Sequence, residues 1–150
     1  MKGERITSIS GLNYLWKVEN LYLAGQPSPE SWSEIKELGV SKVINLRNDS
    51  EMDFSAEISD VKKMGLSYEQ FPIVENGQLN AANCKKLSDM INKEDSFLIH
   101  CGSANRVGGW LITYLTQYCN IDFEEAVEIA SENGLSNPGF IDQAKAICNL

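Results

Sequence analysis

Short runs of adjacent apolar residues alternate along the chain with stretches in which apolar residues recur at every third or fourth position. The runs "LYLAG" (21–25), "VSKVINL" (40–46), "LSYEQFPI" (66–73) and "SFLIH" (96–100) read as strands. The β-branched run at 40–46 has the unbroken apolarity of a strand buried on both faces. The aromatic stretch "NYLWKVE" (13–19) is placed to pair with "LYLAG". Helical spacing fills the gaps between these strands. "QPSPESWSEIKELG" (26–39) predicts a helix with Ser28 as N-cap, Pro29 at the first helical position and Gly39 past the end; Trp32, Ile35 and Leu38 share one face. A second helix is expected from about Phe54 to Met64, stopping at Gly65, and a third over residues 80–92 with Cys84, Leu87, Met90 and Ile91 facing inward. "VENGQ" between them reads as a loop. Val107, Trp110, Leu111, Tyr114, Leu115 and Tyr118 predict a helix that begins beside Arg106. Asp122 and Glu125 have the spacing of a capping box, Gly134 ends that helix, and Asn137-Pro138 opens a last one.

Strands alternating with helices predict an α/β fold of three layers, a mainly parallel central sheet flanked by helices, in one domain over residues 1–150. In such sheets ligands bind where loops leave the carboxyl ends of the strands. Loops 24–28, 47–53, 72–79 and 101–106 leave strand ends of that kind and should share a rim.

Composition narrows the function. With 43% hydrophobic and 23% charged residues the chain can build a core, and no apolar run is long enough to span a bilayer. The opening residues lack an apolar stretch of signal-peptide length, so a cytoplasmic protein is expected. Thirteen basic against 21 acidic side chains give a net charge of −8 without a basic stripe, which argues against nucleic acid and anionic membrane as partners. An anionic substrate would have to be held by a few local groups. Four widely spaced cysteines and one histidine offer neither a zinc site nor a disulfide framework, and no metal or cofactor is expected. Asp49, Glu51, Asp53, Glu57 and Asp60 read as a solvated acidic stretch.

One stretch carries chemistry. "LIHCGSANRVGG" (98–109) places the only histidine, His100, before Cys101, follows it with small or polar residues, and reaches Arg106, one of three arginines. A strand passing through a short loop into a helix turns successive backbone N–H groups toward one point, and the helix N-terminus adds positive potential. Small residues at Gly102, Ser103 and Ala104 let the backbone approach a ligand, and Arg106 can hold an oxyanion through two bonds at once. A cysteine at the base of such a cradle favours the thiolate, a nucleophile aimed at the central atom of the bound anion. His100 either orients the loop and tunes that thiolate or forms a hydrogen bond within the core. Arg47 either meets substrate or pairs with Asp49 or Glu51, while Gln26 and Ser28 border the rim.

"GQPSPE", "VINLR", "FPI" and "HCGSANRVGG", in that order, resemble the bacterial tyrosine-phosphatase-like proteins related to the beta-lactamase-hydrolase-associated phosphatase domain. The likeness spans about residues 14 to 145. It implies a compact fold of the dual-specificity-phosphatase type and a metal-independent phosphatase without cofactor, acting on a phosphorylated protein or a small phosphate monoester. Cys101 would be the nucleophile, and Arg106 with the loop residues Gly102, Ser103, Ala104, Asn105 and Val107 would bind phosphate. Typical tyrosine phosphatases place five residues between cysteine and arginine. This chain has four, Gly102 to Asn105, a spacing shared with rhodanese sulfurtransferases. A persulfide carrier on Cys101 and a noncatalytic oxyanion-binding module are therefore alternatives. Val107 stands where those phosphatases carry a hydroxyl residue, and "FPIVENGQ" lacks their acidic aspartate, leaving Glu75 as the nearest general acid.

Overall fold

The computed structural model describes residues 1–150 and contains one six-stranded sheet and a separate small hairpin. Strands β1 (Gly3–Arg5), β2 (Leu15–Val18) and β3 (Leu21–Ala24) run antiparallel along one edge. The rest of the sheet is parallel: β8 (Phe97–His100) lies between β3 and β4 (Lys42–Asn45), and β5 (Ser67–Gln70) closes the far edge. Ala24, His100 and Asn45 are in register, so the chain leaves three adjacent strands at one level and enters the expected rim.

Side-chain alternation divides the core. Phe97, Ile99 and Cys101 face one apolar cluster, packed with α3 (Ala81–Met90), α4 (Asn105–Tyr118), α5 (Phe123–Glu132) and α6 (Gly139–Ile147). Leu98 faces the other cluster with Tyr22, Val43, Trp32 and Ile35 of α1 (Ser31–Glu37) and Val61 of α2 (Ser55–Lys63). His100, two residues beyond Leu98, points the same way and meets the Trp32 ring edge-on, with centroids 6.2 Å apart. The three layers are those read from the pattern. Gly108 seats α4: a Cβ there would lie 2.7 Å from the Leu135 Cβ, so only glycine lets this helix approach the segment after α5 so closely.

Several boundaries differ from expectation. α1 begins at Ser31 rather than Pro29: Pro29 and Glu30 form a turn closed by the Ser31 N–H on the Ser28 carbonyl at 2.9 Å, the Ser28 side chain turns away to donate to the Gly11 carbonyl, and Glu30 takes the N-cap position without a side-chain bond. Asp122 does occupy the N-cap of α5, but it and Glu125 are exposed and no side-chain cap bond forms. The run at 40–46 pairs only over Lys42–Asn45. "VENGQ" is not plain loop: Val74–Glu75 (β6) and Gln78–Leu79 (β7) pair antiparallel around Asn76 and Gly77, both at positive φ. An Asn-Gly pair is the usual signal for such a two-residue hairpin turn.

Candidate active site

The site is built where β8 passes into α4. The Cys101 N–H donates to the Ala24 carbonyl at 3.2 Å, which holds the start of the loop against β3. Next to it the Gly102 carbonyl accepts from the Gln26 N–H at 3.1 Å. Gly25 permits that approach, since a Cβ there would sit 3.0 Å from the Gly102 oxygen and 3.1 Å from the Tyr14 Cβ. Ala104 then takes a left-handed conformation, φ 71 and ψ 0, at the N-cap of α4. A left-handed residue joined to right-handed ones aims successive N–H groups to one side. Apart from the Ala104 N–H, which the bridge between Gly25 and Ser103 turns toward the Ala24 carbonyl, the backbone N–H groups from Gly102 through Val107 have no acceptor in the chain. The 14-residue helix α4 directs its positive end at the same point. Above this ring lies Arg106: one of its terminal nitrogens is 3.7 Å from where a Gly102 Cβ would stand, and Cys101 is near enough to help keep the guanidinium charged.

The remaining loop side chains divide by task. Val107 is fully buried in the core, so only its N–H is offered to the loop interior. Asn105 is a clamp: its Oδ1 accepts from the N–H groups of Ser136 and Asn137 at 2.7 and 2.8 Å, and its amide donates to the hydroxyls of Ser103 and Ser136. Gly102 and Ser103 are exposed, and Ala104 is buried.

The acidic stretch is where the structure departs most from the sequence pattern. Glu51 is bound by two arginines. Arg106 donates to both of its carboxylate oxygens at 2.7 Å, and Arg47 Nε donates at 3.1 Å. Arg106, helped by the Asn48 N–H and Arg47 and opposed by partial burial, holds the Glu51 carboxyl down at about 2. Two of the five guanidinium N–H donors of Arg106 are thereby engaged and three remain free for an anion. Glu57 is 6% exposed rather than solvated. It lies on α2 facing the sheet, where Oε2 accepts from His100 Nε2 at 2.8 Å and from the Tyr68 hydroxyl at 2.6 Å, and Oε1 accepts from Gln26 Nε2 at 2.6 Å. Burial pushes this carboxyl up, but the bonds from His100, Tyr68 and Gln26 outweigh it and hold it below the usual range. Burial and the Glu57 carboxylate together push the Tyr68 hydroxyl up. Because Glu57 can only accept, His100 carries its proton on Nε2, and Nδ1 is buried with no partner. Of the two readings open for His100, the structure places it in this buried pair.

The loop residues and Arg47 therefore converge. Glu75 stands apart: it is exposed in β6, makes no side-chain hydrogen bond or ion pair, and touches neither Cys101 nor Arg106 through any bond. Ser28 serves the 10–11 loop. Gln26 enters the site more fully than its sequence suggested. The pairing of Arg47 with Glu51 is one of the readings open for Arg47, while the bond of Glu51 to Arg106 and the roles of Glu57 and Tyr68 were not anticipated. Alternation along "FLIH" was the available signal, since it turns His100 toward α2 and calls for a polar partner there. Cys84, Cys119 and Cys148 are free thiols, and burial pushes each of them up. No three His, Cys, Asp or Glu side chains are grouped to hold a metal ion, and no helix is long and apolar enough to cross a membrane.

This sheet, with a cysteine loop opening a helix from its central strand, is the fold of the tyrosine and dual-specificity phosphatases. A DUF442 protein from Shewanella putrefaciens CN-32 superposes with a TM-score of 0.71 at 22% identity, over 95% of this chain and 93% of that one. P. aeruginosa TpbA, solved as a Cys-to-Ser form with phosphotyrosine, gives 0.74 at 17% identity over 97% and 86%. The kinase associated phosphatase, solved with its catalytic-site cysteine replaced by serine, gives 0.72 at 14% over 86% and 85%. No protein-family model matches the chain, and no curated protein sequence matches it.

Proposed function

We propose that the chain is a metal-independent, cysteine-dependent phosphatase of phosphate monoesters. The observation that carries this reading is the series of N–H groups from Gly102 to Val107, all but that of Ala104 unbonded, which starts directly after Cys101 and stands beside Arg106. Such a ring suits three equatorial oxygens of a phosphoryl group in flight, and fixed donors of this kind stabilise developing charge without reorganising. The Cys101 thiolate attacks phosphorus as the P–O bond to the leaving group breaks. Water then attacks the phosphocysteine, the P–S bond breaks, and inorganic phosphate leaves with the thiolate restored. Arg106 follows the charge through both steps, its orientation set by Glu51. Glu75, exposed on the β6–β7 hairpin and bound to no other side chain, is the proposed donor of the leaving-group proton, a role that requires the hairpin to bring it over the bound ester. Structural neighbours that include a phosphotyrosine complex and a phosphatase solved with its catalytic-site cysteine replaced by serine support the substrate class.

Hydrolysis of p-nitrophenyl phosphate without added metal tests the reading. Turnover in the parent chain that disappears in Cys101→Ser is the expected result. A parent chain that is inert from mildly acidic to neutral pH, yet moves sulfur from thiosulfate to cyanide, would overturn it in favour of a persulfide carrier.

A further inference from the structure

The bonds around Glu57 and Glu51 form one continuous path. From His100, beside Cys101, it runs to Glu57 at 2.8 Å and to Gln26 at 2.6 Å. From Gln26 Oε1 it continues to Arg47 at 2.9 Å, to Glu51 at 3.1 Å and to both terminal nitrogens of Arg106 at 2.7 Å. Gln26 is the junction, because its backbone N–H also holds the Gly102 carbonyl at 3.1 Å. The path starts on one side of the cysteine loop and returns to its far end. Glu57, the buried member, is fixed by three donors from β8, β5 and the loop after β3. Tyr68 is itself held by Asn45 at 2.9 Å, and Asn45 Oδ1 receives the Arg47 N–H at 2.9 Å.

We infer that Glu57 is a positioning residue for the phosphatase reaction proposed above: through Gln26 and Arg47 it fixes Glu51, and thereby the plane in which the Arg106 guanidinium meets the phosphoryl group. Arg47 and Glu51 sit on the loop after β4, whose backbone is held at Arg47 by Asn45 Oδ1 and by Gln70 Nε2 of β5, each at 2.9 Å. The α2 carboxylate, through Gln26, adds the anchor for the Arg47 guanidinium itself. Glu57 touches neither substrate nor sulfur, so it acts only through that path. The inference rests on the phosphatase reading for its chemistry, but the anion-binding geometry can be measured without turnover.

The experiment compares the parent chain with Glu57→Gln, Gln26→Leu and the double variant. Gln26→Leu guards against a failure to fold, since it cuts the path at a half-buried residue and leaves Glu57 its bonds from His100 and Tyr68. For each protein, kcat and KM for p-nitrophenyl phosphate and the dissociation constant of inorganic phosphate are measured, with Tm alongside. Loss of alignment at a reacting centre should cut kcat by about 10-fold to 100-fold in either single variant. The double variant should be no worse than the poorer single one, since both break the same path. Phosphate affinity should fall in parallel while Gln26→Leu, its Tm lowered by the lost bond to Glu57, stays folded at the assay temperature. Parent-like kcat and phosphate affinity in Gln26→Leu would overturn the inference, as would losses that multiply in the double variant. If the parent chain binds phosphate but turns over no ester, the phosphatase reading fails and phosphate affinity alone decides on the path. A parent chain that does neither overturns both.

Discussion

Cys84 and Cys101 are equally hidden, each 1% exposed and each in the same apolar cluster, and their surroundings have opposite chemistry. Cys84 lies on the inner face of α3, where burial, with a further contribution from Cys148, pushes the thiol up to about 12. Nothing there offers hydrogen bonds to a sulfur anion. Cys101 begins a loop whose N–H groups, that of Ala104 apart, are uncommitted, at the positive end of α4, with an arginine within reach. Accessibility does not separate these two sulfurs. What separates them is whether the groups facing each sulfur are hydrocarbon or donors.

The largest test of that contrast replaces each sulfur by oxygen. Cys101→Ser keeps the shape of the loop and removes the nucleophile, so p-nitrophenyl phosphate turnover should fall by at least about 1,000-fold while Tm stays near the parent value. Cys84→Ser buries a hydroxyl among apolar side chains and should cost about 1–3 kcal/mol of stability, with kcat of the folded protein unchanged. Assays paired with thermal melts read both. A chain in which the two substitutions had the same effect on turnover would erase the distinction.

A smaller effect is expected from Arg106→Lys, which keeps the charge but loses the planar fork that reaches Glu51 and an anion together. Losing one such preorganised donor set should lower kcat by about 100-fold, measured at saturating substrate. The partner of that arginine gives a pH test. The folded Glu51 carboxyl is held at about 2 against an ordinary 4.5. A carboxyl lowered by folding contributes fully above its unfolded value and loses that contribution as the pH falls toward its folded one. Melting curves of the parent chain should therefore steepen their decline from pH 4.5 downward, and Glu51→Gln should remove part of that decline while lowering stability near neutrality.

The contrast between the cysteines was legible in the chain because connectivity alone assembles the loop. His100, Cys101, Gly102, Ser103, Ala104, Asn105 and Arg106 are neighbours in sequence, and a strand ending before a helix brings their amides together. The layers were legible for a similar reason, since each strand and helix declares its buried side by its own period. The pairing of Glu51 with Arg47, four residues back, was open to the same local reading; its bond to Arg106 and the burial of Glu57 were not. Both carboxylates stand among other acidic residues, the donors that surround Glu57 lie on the loop after β3, on β5 and on β8, and Arg106 lies at the start of α4. No local pattern distinguishes a carboxylate bound by arginine from one bound by water. The cap assigned to Ser28 failed in the same way: its side chain is oriented toward the carbonyl of Gly11, 17 residues earlier, and accepts from no N–H of the helix.

The subtlest test concerns Ala104. Its φ of 71 is a conformation that a Cβ disfavours by about 1–2 kcal/mol, and it sits at the turn that aims the loop amides. Glycine would relieve that strain but widen the unfolded ensemble, which opposes the gain by roughly 0.4–1 kcal/mol. The Ala104 methyl is also buried, and the space above Gly134 runs up to it, since a Cβ built on Gly134 would lie 3.2 Å away. Removing it forfeits some packing. The three contributions nearly cancel, so Ala104→Gly should leave Tm within a few degrees of the parent. Phosphate affinity is the sharper readout. If the left-handed turn is held by its surroundings, affinity stays the same. If the methyl itself keeps the turn from fluctuating, affinity falls as the amides lose their common aim, although Cys101 and Arg106 are both still present.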